Sequence, residues 1–100
     1  MARYHVRVRP QVWQAIKHLP GDVRQRVKRA VDELADEPRR ARTKVLATRQ
    51  TMLEVRRLRL DDWRVIYAIN EDLQQVQVLA IRQRPPYNYA DLDDLLDTLD

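Results

Sequence analysis

Hydrophobic positions along the chain switch between two periods, and the switches mark the elements. Residues 3–9 alternate, with Tyr4, Val6 and Val8 on one face and Arg3, His5, Arg7 and Arg9 on the other. That predicts a half-buried strand with a wet basic face. At Pro10, a residue suited to a helix's first turn, the period becomes helical. Val12, Trp13, Ile16 and Leu19 follow at that spacing. Pro20-Gly21 closes this helix, and Asp22 is placed to cap the next. In the second helix Val23, Val27, Ala30, Val31 and Leu34 form one apolar stripe for packing on a sheet, and Pro38 stops it. Its polar side, with Arg24, Arg26, Lys28 and Arg29, reads as a solvated face. Residues 39–51 read as a basic loop in which Val45-Leu46-Ala47 can add a brief strand.

Residues 52–84 then read as three consecutive strands, separated by polar turns at Asp61-Asp62 and Asn70-Glu71-Asp72. The middle one, Trp63 to Ile69, is rich in β-branched and aromatic residues, as expected at the centre of a sheet. It carries one charge, Arg64, which is costly there unless the guanidinium reaches water, a carboxylate or a phosphate. Arg57 and Arg59 share the face of their strand, and Arg82 and Arg84 share theirs. Pro85-Pro86 cannot continue a central strand. In residues 91–100, Leu92, Leu95, Leu96 and Leu99 make one stripe among aspartates, predicting a short acidic helix. The order β, α, α, a run of strands, then α predicts one α+β domain over residues 1–100. Its helix hairpin packs on a mainly antiparallel sheet of four to five strands. The first strand, set apart by two helices, is a candidate for parallel pairing.

Charge sharpens this picture. The net charge is +4, with 19 bases and 15 acids. Five of those acids lie in residues 91–100, which hold no base, so residues 1–90 carry 19 bases against ten acids, a charge of about +9. All but three of the bases are arginine, the group whose fork matches phosphate. A polyanion or an acidic protein is the expected partner. There is no cysteine and a single glycine, which excludes disulfides, Cys-based zinc sites and Gly-rich phosphate loops. His5 and His18 have no partner at metal-ligand spacing, so no metal or other cofactor is expected. No apolar run approaches a membrane span and no signal-peptide pattern is present, so the expected setting is the cytoplasm. Trp13 and Trp63 read as core residues rather than stacking platforms.

The order of pieces resembles the RelE/ParE superfamily of bacterial type II toxin–antitoxin toxins. The matching stretches are HLPGDVRQRVKRAVDELADEPR, VRRLRLDDWRVIYAI and VQVLAIRQR with tyrosine after it. The resemblance covers roughly residues 3–90 and implies a RelE-like microbial-ribonuclease-type fold. It implies a toxin that cuts mRNA in the ribosome without metal, the RNA's own 2′-hydroxyl attacking the phosphodiester, or, in a ParE-like member, one that inhibits DNA gyrase without chemistry. A toxin-fold module of little activity is the third reading. A cognate acidic antitoxin is the implied partner. Carried over, Arg64 is a phosphate binder, Arg84 matches the arginine closing the last strand, and Arg57 stands where the pattern has lysine. Val55 stands where it has a second lysine. Tyr87 and Tyr89 both qualify as the following tyrosine. Arg57, Arg64, Arg84, Tyr87 and Tyr89 are the expected catalytic group, with Arg56, Arg59 and Arg82 as further RNA contacts.

Overall fold

The computed structural model describes residues 3–48, 52–83 and 96. The elements are β1 (His5–Val8), α1 (Pro10–Lys17), α2 (Gly21–Glu33), β2 (Thr43–Val45), β3 (Glu54–Leu60), β4 (Trp63–Asn70) and β5 (Gln75–Gln83). They form an α+β domain with one mixed five-stranded sheet, ordered β1-β5-β4-β3-β2. The strands β2 to β5 run antiparallel to their neighbours, while β1 pairs parallel with β5, Val6 opposite Val76 and Val8 opposite Val78. No helix among the described residues is long and apolar enough to cross a membrane.

The alternation in β1 and the helical stripes meet on one face of the sheet. Val12, Ile16, Val27, Ala30, Val31 and Leu34 pack there with Tyr4, Leu58, Val65, Tyr67, Ile69, Val76 and Val78. Val23, Trp13 and Leu19 are half-buried against this cluster. The opposite face holds a smaller cluster, Val55, Ile66, Ala68, Leu79 and Leu96. Both faces of β4 are therefore covered, which is why its sequence reads as a continuous apolar run.

Three boundaries differ from expectation. Asp22 is not the cap of α2: Pro20 takes that position with extended backbone, and Asp22 lies in the first turn, where its carboxylate complements the helix dipole. The helix ends at Glu33 rather than at Pro38, because the chain tightens into i→i−3 bonds at Ala35 and Asp36. The brief strand is Thr43–Val45 rather than 45–47, since Lys44 and Val45 pair with Arg57 and Arg56. Leu46 still donates its N–H to the Val55 carbonyl at 2.8 Å, but its side chain packs on the second cluster. The acidic helix expected over 91–100 lies outside the described residues except for Leu96.

One irregularity reorders a strand. Ile66 pairs with Ala80 and Tyr67 with Val78, so Leu79 is the extra residue of a β-bulge. Val76 and Val78 face the helices, and an unbroken alternation would send Arg82 the same way. The bulge reverses parity, as bulges do when they re-aim side chains. Ala80 and Arg82 consequently stand on the far face, opposite Ile66 and Arg64.

Candidate functional site

On that far face the register lines up arginines across neighbouring strands. Arg59 is opposite Arg64, and Arg64 is opposite Arg82. The Arg59 N–H donates to the Arg42 carbonyl at 3.0 Å, which adds Arg42 beside Arg59, in the turn just before β2. The row thus crosses four strands. Two residues along, Lys44 is opposite Arg57. Arg42, Lys44, Arg57, Arg59 and Asp61 line an open concavity of about 550 Å³.

Like charges side by side are unfavourable in a sheet, so the fold holds them against repulsion. Local geometry sets their positions. Asp61 opens the β3–β4 turn with φ +52°, in the left-handed region that aspartate tolerates. Its carbonyl accepts a hydrogen bond from Arg64 Nη1 at 2.8 Å, and the Trp63 carbonyl accepts a second at 3.0 Å. Arg64 is thereby turned back along its own turn. The Asp61 carboxylate is bound by Arg26 of α2 at 2.5 Å. The one acid lining the concavity is therefore drawn towards the helix side of the molecule. Arg42 also has a left-handed backbone, φ +68°.

Arg56 lies elsewhere. It shares the helix-side face with Leu58, and its guanidinium bonds Glu54 at 2.6 Å and the Thr43 hydroxyl at 3.2 Å. It belongs to a structural network in which Arg39 holds Glu54 at 3.2 Å and Glu71 at 2.9 Å, and donates to the Tyr4 hydroxyl at 3.3 Å. Tyr4 in turn donates to Glu71. That hydrogen bond, and then the Arg39 guanidinium, hold the Glu71 carboxyl below the usual carboxylate range. The same hydroxyl, with Glu71 and Glu54, pushes Arg39 up. Tyr67, opposite Arg56, donates to the Pro38 carbonyl, and burial pushes its phenol up.

The structure thus brings Arg57, Arg59, Arg64 and Arg82 onto one face. It separates Arg56 from them, and Arg84, Tyr87 and Tyr89 lie outside the described residues. Arg42 and Lys44 join the site without having been marked by the sequence, since a three-residue strand is too short to display a period. Such a surface can bind a phosphate bidentately and stabilise charge on it. Guanidiniums are poor proton carriers near neutrality, so the described residues supply binding rather than acid–base chemistry. On the basic side of α2, Lys28 Nζ sits 5.5 Å over the Trp13 ring and Arg24 donates to the Lys17 carbonyl at 3.3 Å.

Residues 6–85 match the family described as ParE toxin of type II toxin–antitoxin system, parDE. Among solved structures, the chain is similar to an archaeal RelE–RelB complex from Pyrococcus horikoshii. That likeness has a TM-score of 0.75 and 30% identity, covering 85% of this chain and 99% of that one. It is similar to the RelBE2 toxin–antitoxin complex of Mycobacterium tuberculosis, with TM-score 0.69, 23% identity and coverage of 82% and 99%. Its fold also matches isolated Escherichia coli RelE toxin, with TM-score 0.64, 17% identity and coverage of 96% and 99%. No curated protein matches it in sequence.

Proposed function

The chain belongs to the RelE/ParE superfamily of type II toxin–antitoxin toxins, and on that premise we propose that it is a ribosome-dependent mRNA endonuclease restrained by an acidic antitoxin. The observation that carries this reading is the in-register row Arg59–Arg64–Arg82 beside the basic concavity.

In the proposed reaction the RNA 2′-oxygen bonds to the adjacent phosphorus while the bond to the 5′-oxygen breaks. The products are a 2′,3′-cyclic phosphate and a 5′-hydroxyl. The 2′-hydroxyl proton goes to a base, and the departing oxygen takes a proton from an acid. Arg64, flanked by Arg59 and Arg82, stabilises the charge that builds on the phosphate oxygens. Arg57 adds a cation one step along. Tyr87 or Tyr89 is assigned the proton transfer and Arg84 a supporting cation, as the family pattern implies. The RelE–RelB complexes among the similar structures support an antitoxin partner here, and the basic body suits an acidic one.

The test is cleavage of mRNA on programmed ribosomes by the wild type, Arg64→Ala and Arg82→Ala, beside a gyrase supercoiling assay. Loss of one such donor lowers the rate by about 10²–10³. Full cleavage by both variants would overturn the assignment. The ParE description of the matching family favours a second reading, gyrase inhibition. Blocked supercoiling with intact mRNA would establish that one instead.

A further inference from the structure

We propose that the arginine row continues over β2 as a track for the phosphodiester backbone of single-stranded RNA, in which Arg42 and Lys44 hold the phosphate next to the one that reacts. This rests on the endonuclease reading and assigns the path of its substrate.

The row Arg42–Arg59–Arg64–Arg82 crosses three inter-strand gaps, ~14 Å at ~4.8 Å each. That is longer than one phosphate needs. A nucleic-acid strand carries a charge every few ångström, so a strand laid perpendicular to the β-strands presents several phosphates to the row. Lys44 and Arg57, opposite each other and two residues away, widen the β2–β3 end. The concavity lies at that end, and its lining places four cations against Asp61, whose carboxylate Arg26 holds. A polyanion entering there meets a net positive wall.

The same face indicates which part of the strand is read. Tyr4 and Tyr67 lie in the helix-side core, Trp13 packs on it, and Trp63 shares its side with Leu60 and Val65. Among the described residues no aromatic ring stands on the arginine face to stack a base. Surfaces that bind single strands by stacking pair a basic groove with aromatic platforms. Among the described residues, binding on this face comes from charge on the backbone rather than from base stacking.

The test is fluorescence anisotropy with a short 2′-O-methyl oligoribonucleotide, whose blocked 2′-oxygen prevents cleavage, titrated at several salt concentrations. The variant is Arg42→Asn with Lys44→Gln. Asparagine keeps the left-handed backbone that position 42 requires. Losing the hold on that one phosphate should flatten the salt dependence of log K by ~0.7, the value per neutralised phosphate of a single strand. On programmed ribosomes the variant should raise KM with little change in kcat. The control is Arg24→Gln with Lys28→Gln on α2, which should leave the salt slope near wild type.

An unchanged slope in the β2 variant overturns the track, as does an equal loss in the α2 control. Duplex DNA bound as tightly as the oligoribonucleotide overturns the single-strand assignment. The two readings fail separately. If the oligoribonucleotide binds with the expected slope while mRNA stays whole, the track stands and the endonuclease falls. If mRNA is cut but the slope does not respond to positions 42 and 44, the reverse holds.

Discussion

Arg59 and Arg64 stand directly opposite one another across the β3–β4 ladder, two like charges side by side on the face of the sheet turned away from the helices. Opposed like charges destabilise a sheet, where favourable cross-strand pairs contribute about 0.2–1 kcal/mol. A site that binds a polyanion, as proposed here, would hold such a pair at the expense of stability. Arg59→Thr, which keeps a good strand former, should therefore raise the melting temperature by a few degrees in low salt while reducing toxicity. The gain should shrink as salt screens the repulsion. Thermal unfolding at two ionic strengths checks it, and a drop in Tm would show that Arg59 is structurally required.

The Arg26–Asp61 pair permits two substitutions with opposite signs. Asp61→Asn removes the acid lining the concavity and suits the left-handed backbone, so affinity for single-stranded RNA should rise. Arg26→Ala frees the carboxylate to meet the cations around it, so affinity should fall. Both side chains are well exposed, 48% and 65%, so each change should move stability by less than about 1 kcal/mol. Parallel anisotropy and melting curves check this; shifts of the same sign would contradict it.

Tyr67→Phe leaves the Pro38 carbonyl without its buried donor, which costs about 1–3 kcal/mol. Urea unfolding should show a lower midpoint with an unchanged slope. Burial raises the Tyr67 phenol, so its stabilising contribution is complete below the unfolded value near 10 and is lost as pH rises through the folded value. The wild type should lose stability above about pH 10 more steeply than Tyr67→Phe. Parallel alkaline unfolding curves would count against this cause.

Glu71 titrates at the other end of the scale. The Tyr4 hydroxyl and Arg39 hold its carboxyl low, so its contribution is present above the unfolded carboxylate value near 4.3 and is lost as pH falls through the lower folded value. Glu71→Gln should be less stable than the wild type at neutral pH, with the difference closing in acid. Chemical denaturation from neutral pH down to about pH 3 reads this. A gap that persists at the lowest pH would show that the glutamate acts by packing.

Much of this architecture is local, and so was legible in the chain. The alternation of Tyr4, Val6 and Val8, the stripe from Val23 to Leu34, Pro10 opening a helix and the polar turns between the last strands each reflect backbone periods and turn preferences a few residues long. The same locality puts Arg57 and Arg59 on one face. Which residues meet across strands is set by turn length and register, and these depend on the whole sheet. Arg82 reaches Arg64 only because the bulge at Leu79 reverses its parity. Arg56, next to Arg57 in the chain, points away from it and is held by Glu54 and Thr43. Arg39 meets Tyr4, 35 residues away, because the chain after α2 folds back along the sheet. Arg42 and Lys44 enter the site through β2, whose position is decided by pairing with β3 and not by any pattern in its own three residues. The sequence determined by itself that arginines would line a sheet; the tertiary structure decided which ones stand together, because cross-strand neighbours are chosen by register over distances that no local period encodes.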